Sequence, residues 1–174
     1  MRIYLKILIV LLLPLIIFYP NVYSEDKERK IKDPHKYNFY SGMFDFSDGG
    51  RRSSVIGFQH QNENLFRETF LGTISPVTGF MITSDNATYL YTGVQADYNI
   101  GIINFNPSIS PGIYEQGDGK DLGNWVEIKT ELQMSLDLPK NSEFGFKYNH
   151  ISNAGFGEKN PGANSYMFNF SKNF

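Results

Sequence analysis

The sequence predicts an all-β fold, an eight-stranded antiparallel transmembrane β-barrel, and three observations carry that prediction. First, Val126, Ile128, Thr130, Leu132, Met134, Leu136 and Leu138 alternate with Glu127, Lys129, Glu131, Gln133, Ser135 and Asp137. One face of that strand is apolar and the other charged, over more than the roughly 9–11 residues that a strand needs to cross a bilayer. Second, connections between the strand-like segments alternate short and long, as barrels with periplasmic turns and external loops do. Third, the 15 Phe and 11 Tyr recur at alternate positions down the chain, as expected of aromatic girdles, and no long apolar run follows the N-terminal segment. A secreted β-sandwich is the competing architecture on strand spacing alone.

The N-terminus reads as a secretory signal over residues 1–24. Arg2 and Lys6 form its charged region, residues 7–18 its apolar run, and Val22-Tyr23-Ser24 its cleavage site. The apolar run covers about 12 residues and contains Pro14, too short for a spanning helix of about 20. Residues 25–36 are charged, lack strand character and read as a periplasmic tail. The barrel follows over residues 37–174. Loss of Arg2 and Lys6 leaves the chain more acidic than its formal −2, which is no footprint for nucleic acid. With no cysteine, neither a disulfide framework nor a Cys-based metal site is available.

The eight strands are expected at residues 37–46, 53–62, 65–74, 88–98, 102–114, 125–138, 143–152 and 164–174. Short links follow the second, fourth and sixth strands at 63–64, 99–101 and 139–142. Longer links rich in Gly, Asp and Ser follow the others at 47–52, 75–87, 115–124 and 153–163. Pro107 and Pro111 each remove a ladder donor from the fifth strand and predict a bulge or strand end. Trp125 marks the external interface. The last strand alternates Tyr166, Phe168, Phe170 and Phe174 with Met167, Asn169, Ser171 and Asn173. Its aromatic end resembles the signal read by barrel-assembly machinery, which makes that machinery an expected partner through Phe174.

Chemistry concentrates in Tyr148-Asn149-His150-Ile151-Ser152-Asn153-Ala154-Gly155. Alternate residues of a strand share a face, so His150 and Ser152 lie on one side with Phe144, Phe146 and Tyr148. From a periplasmic N-terminus the seventh strand runs outward, placing the pair at its external end and facing lipid. Polar groups on that face are costly and point to function. A serine hydroxyl becomes a nucleophile when an adjacent base takes its proton. The implied reaction is ester hydrolysis through an acyl-enzyme. The Asn153 side-chain amide and the backbone N–H groups of Ala154 and Gly155 are candidate oxyanion donors. The outer leaflet is where lipopolysaccharide resides, which makes that lipid the expected substrate class.

These residues, with Gly112-Ile113-Tyr114-Glu115-Gln116-Gly117-Asp118-Gly119-Lys120-Asp121-Leu122-Gly123 and Asn160-Pro161-Gly162, resemble the lipid A 3-O-deacylase (PagL) family. The similarity is strongest from about Ile109 to the C-terminus. It implies an outer-membrane barrel that hydrolyses the 3-linked acyl ester of lipid A without a cofactor. It also implies His150 as base, Ser152 as nucleophile and Asn153 at the oxyanion site. The family's third catalytic residue is typically a glutamate just after Asn-Pro-Gly, and the matching position here is Asn164. By parity with Tyr166 and Phe168, Asn164 faces lipid beside His150. An asparagine orients an imidazole but supplies no charge, so a non-enzymatic lipopolysaccharide-binding or structural barrel is the alternative. Glu158 is the nearest acidic substitute in sequence, and a phospholipase would use the same residues on another lipid.

The remaining polar residues have plainer readings. Arg51 and Arg52 in the first external loop are candidate contacts for lipid A phosphates, since guanidinium binds phosphate bidentately. Glu115, Asp118 and Asp121 lack the spacing of a calcium loop and read as a solvated turn. His35 and His60 are isolated, and three histidines spread this widely give no metal-ligand spacing.

Overall fold

In the computed structural model, residues 34–69 and 72–174 are described. The expected signal segment and nearly all of the expected tail lie outside them. Nine strands form: β1 (His35–Phe44), β2 (Ser53–Asn62), β3 (Arg67–Thr69), β4 (Gly72–Thr83), β5 (Thr88–Ile100), β6 (Ile103–Glu115), β7 (Val126–Leu138), β8 (Ser142–Ser152) and β9 (Ala163–Asn173). β3 is a three-residue appendage paired only to β4. The other eight form one antiparallel ring, closed where β1 pairs with both β2 and β9 and where β2 pairs with β4. A ring has no open edge, which is what lets a sheet stand in hydrocarbon.

The distribution of side chains is that of a water-soluble protein turned inside out. On β7 the charged face is the buried one: Glu127, Lys129, Glu131, Gln133 and Ser135 point into the lumen. Met134, Leu136 and Leu138 point outward, joined around the ring by Phe39, Ile56, Phe80, Leu90, Phe144, Phe168 and Phe170. The lumen is filled by side chains that hydrogen-bond one another. Glu131 receives Lys129 at 3.2 Å and Lys147 at 2.9 Å, and Lys129 also sits 3.7 Å above the Tyr91 ring. Tyr91 in turn meets Tyr40 and Gln59, each at 3.1 Å, and Gln95 links Gln59 to Gln61. Gly57 makes this possible, since a Cβ there would lie 2.2 Å from the Tyr40 ring.

Seven of the eight expected strands fall in place, within a few residues at their ends. The third does not: it occupies Gly72–Thr83 rather than 65–74, and the stretch expected as an external loop at 75–87 is mostly strand. Pro76 and Gly79 give that segment the look of a loop. In the barrel, Pro76 lies one residue short of the β2 ladder, which begins at Val77, a border where a missing N–H is tolerated. Gly79 faces the lumen beneath the Tyr91 hydroxyl, where a Cβ would come within 2.5 Å. The connection that remains, residues 84–87, is a tight turn. Pro107 and Pro111 produce neither a bulge nor a strand end. β6 keeps a single register against β5 and lacks the pairs at Asn106–Pro107 and Ser110–Pro111, while its ladder to β7 is continuous. His35 and His60 are also not isolated. Strand pairing brings Nδ1 of the one to 3.0 Å from Nε2 of the other.

The lumenal ion cluster predicts a measurable stability. Glu131→Gln leaves two buried ammonium groups without their carboxylate and should cost about 3–5 kcal/mol, read as an earlier urea midpoint in detergent. Replacing Glu131, Lys129 and Lys147 together by apolar residues of similar size should recover most of that loss.

Candidate active site on the outer wall of the barrel

The start of β1 and the end of the chain after β9 meet at one rim, where Phe174 donates its N–H to the His35 carbonyl at 2.9 Å. The opposite rim carries the loops 45–52, 116–125 and 153–162, the longer connections expected on the external side. At that rim β8 ends with His150 and Ser152 on the outward face and Ile151 and Asn153 on the inward one. The alternation expected from sequence is therefore the one observed. β9 runs alongside with His150 directly opposite Asn164.

That register puts three side chains together. The His150 ring nitrogen Nδ1 is 2.8 Å from Asn164 Oδ1, and the Tyr148 hydroxyl donates to the same oxygen at 2.9 Å. With the asparagine oxygen accepting, His150 carries its proton on Nδ1 and leaves Nε2 free. Ser152 is half-buried on the same face, two residues further along. Among the described residues no side-chain hydrogen bond joins Ser152 to His150. Gly162 lies against the other edge of the imidazole, with φ of +63°, and a Cβ at this position would sit 2.8 Å from His150 Cε1 and 3.3 Å from Nε2. A glycine is thus required in Asn160-Pro161-Gly162 both by backbone conformation and by the space around the free nitrogen.

The expected oxyanion donors are arranged differently from one another. Asn153 points into the barrel and is fully buried, and its amide donates to the carbonyls of Leu122 and Lys159, both at 2.8 Å. Its Oδ1 accepts from Gly155 N–H at 3.0 Å and from Gly157 N–H at 3.5 Å. Asn153 and Gly155 therefore spend these groups on the loop itself, joining 153–162 to the loop after β6. Ala154 and Gly155 lie at the exposed bend, both with positive φ.

Sequence reasoning missed a second layer behind Asn164. Its Nδ2 donates to Ser47 Oγ at 3.1 Å, and its backbone N–H reaches Asp45 Oδ1 at 3.4 Å. Both residues belong to the segment just past β1, which only barrel closure brings beside β9. Arg51 and Arg52 lie in that same loop, both exposed, with Arg52 Nε bonded to the Phe46 carbonyl at 2.8 Å. Glu158 is exposed, and among the described residues no contact joins it to His150. Trp125 stands exposed at this rim just before β7. Nearby, the Lys159 ammonium hydrogen-bonded to Asp121 holds that carboxyl below its usual range, and the Gly50 N–H does the same for Asp48. Among the described residues no cluster of His, Asp and Glu suited to a metal ion is found.

The sequence profile of the lipid A 3-O-deacylase (PagL) family matches residues 37–173. No curated protein matches the chain in sequence. Among solved structures, the outer membrane enzyme PagL superposes with a TM-score of 0.59 at 15% identity, covering 79% of this chain and 98% of that one. A de novo designed transmembrane β-barrel follows at a TM-score of 0.52 and 8% identity, over 83% of this chain and 98% of that one. At such identities the likeness speaks for the fold.

The arrangement around Asn153 separates scaffold from chemistry. Asn153→Ala removes four side-chain hydrogen bonds, one buried and three part-buried, and should destabilise the external loops by about 2–3 kcal/mol. Limited proteolysis should then cut within 153–162 faster than in the parent protein, with the barrel itself intact.

Proposed function

Since the chain belongs to the lipid A 3-O-deacylase (PagL) family, we propose that it is an outer-membrane esterase that removes the 3-linked acyl chain of lipid A, with His150 as base and Ser152 as nucleophile. The observation that carries this reading is the imidazole on the lipid-facing wall, fixed through Nδ1 and free at Nε2 beside Ser152. Bare hydrocarbon needs no histidine, serine and asparagine gathered at one height of a barrel.

In the proposed reaction the acyl chains of lipid A lie along the apolar wall formed by Phe144, Phe146 and Phe168. The headgroup then sits at the rim, where Arg51 and Arg52 meet its phosphates. Ser152 and His150 are same-face neighbours on a strand, close enough for Nε2 to take the hydroxyl proton as Oγ attacks the ester carbonyl. Hydrogen bonds tighter in the loaded site than in the empty one are usual for such pairs. The tetrahedral oxyanion forms at the exposed bend, where the Ala154 N–H is the candidate donor, the Gly155 N–H being bonded to Asn153 Oδ1. Asn153 contributes by holding that bend in shape. His150 returns the proton to the departing 3-oxygen of the sugar, and water then releases the fatty acid from Ser152 by the same base.

Asn164 stands where the family typically has a glutamate. It orients the ring, as asparagine does in Cys-His-Asn hydrolases, without a charge of its own to stabilise the imidazolium. That one substitution favours a second reading, a lipopolysaccharide-binding barrel that has lost turnover. Mass spectrometry of lipid A incubated with the purified protein decides between them. The esterase should remove one 3-hydroxyacyl mass, Ser152→Ala should remove none, and Asn164→Glu should act at least about 10-fold faster than the parent. Silence from the parent with recovery in Asn164→Glu would establish the inactive barrel. Fatty acid released from phospholipid in place of lipid A would make it a phospholipase.

A further inference from the structure

We propose that Asp45 is a positioning residue for His150, acting through Ser47 and Asn164 to set the imidazole tautomer and to supply the charge that Asn164 lacks. This rests on the esterase reading above.

Asp45 follows the last residue of β1 with φ of +50°, a left-handed bend that aspartate tolerates better than most residues. The bend turns its carboxylate inward, where it is fully buried. The main chain meanwhile stays on β9, with Phe46 N–H donating to the Asn164 carbonyl at 2.9 Å. Lys120, from the loop after β6, pairs with Asp45 Oδ2 at 2.6 Å and gives the buried carboxylate a counter-ion. The other oxygen, Oδ1, faces the site and receives the Ser47 hydroxyl at 3.3 Å and the Asn164 N–H at 3.4 Å.

The direction of every bond in the chain follows from that carboxylate. It can only accept, so the Ser47 hydroxyl donates to it. The Ser47 oxygen is then an acceptor for Asn164 Nδ2 at 3.1 Å. That fixes the asparagine amide with its oxygen toward His150 Nδ1 and the Tyr148 hydroxyl. His150 must therefore hold its proton on Nδ1 and present the lone pair of Nε2 to Ser152. When Nε2 takes the serine proton, the imidazolium faces two dipoles in series, the Asn164 amide and the Ser47 hydroxyl, that end in a negative charge. Asparagine alone would leave both the amide orientation and the charge unspecified.

Kinetics of acyl release from lipid A by the full-length protein in detergent test the relay, with folding checked by heat-modifiable migration. Asp45→Asn keeps an acceptor for Ser47 but removes the charge. It should lower kcat on the order of 10-fold with KM unchanged. Adding Asn164→Glu to Asp45→Asn should restore kcat to that of Asn164→Glu alone, because the charge is then delivered directly. A folded Asp45→Asn protein with unchanged kcat would overturn the proposal. So would a defect that persists with Asn164→Glu present, since it would make Asp45 a scaffold. Nitrogen-15 spectra of the His150 ring test the tautomer without turnover. The parent should show Nδ1–H alone and Ser47→Ala a mixture, whereas an unchanged Nδ1–H in Ser47→Ala would overturn the relay. Should neither the parent nor Asn164→Glu release fatty acid, the esterase reading fails, and those spectra still decide the relay.

Discussion

Closure of the backbone ladder is the constraint on which everything else in this molecule depends. A strand in hydrocarbon has no water to satisfy a free edge, and each orphaned N–H or C=O costs several kcal/mol. The ring from β1 through β2 and β4 to β9 leaves no free edge among its eight strands. Once closed, the ring divides every strand into a lumenal and an outer face. The lumen becomes the place where polar groups must find partners, and the Glu131 cluster with its Lys and Tyr neighbours is the result. The outer face is released from packing duty. It can carry a reactive constellation at its rim with no cavity hollowed out of a core.

Closure also builds the site itself. His150 and Asn164 are opposite one another because β8 and β9 are antiparallel neighbours in a fixed register. Asp45 and Ser47 reach the back of Asn164 only because β1 returns to pair with β9. The loops contribute through Asn153, whose four hydrogen bonds tie the 153–162 loop to itself and to Leu122 of the loop after β6. A shift of one residue in the β8–β9 register would turn Asn164 into the lumen and leave the imidazole without its acceptor. Register, more than any single contact, is what specifies the chemistry.

Much of this was legible in the residues. The two-residue period on β7 foretold which side chains face lipid, and the same parity placed His150, Ser152 and Asn164 together on the outer wall. What escaped was non-local or concealed by composition. β4 was hidden because Pro76 and Gly79 look like loop residues until Tyr91 and the β2 ladder are in view. Pro107 and Pro111 looked like interruptions, yet β6 holds its register by its unbroken pairing with β7. Asn153 sits beside Ser152 in sequence, but strand alternation turns its side chain to the opposite face. Asp45 gave no signal at all, since only three-dimensional closure brings it within reach of Asn164.

Covalent labelling tests most directly whether Ser152 is, as we propose, an activated nucleophile on the lipid-facing wall. The purified barrel would be treated in detergent micelles with a serine-directed phosphonate bearing an acyl chain, then mapped by peptide mass spectrometry. A single adduct on Ser152, lost when His150 is replaced by Ala in a still-folded barrel, is the predicted result. A folded protein that leaves Ser152 unmodified, or takes the label equally without His150, would contradict the account.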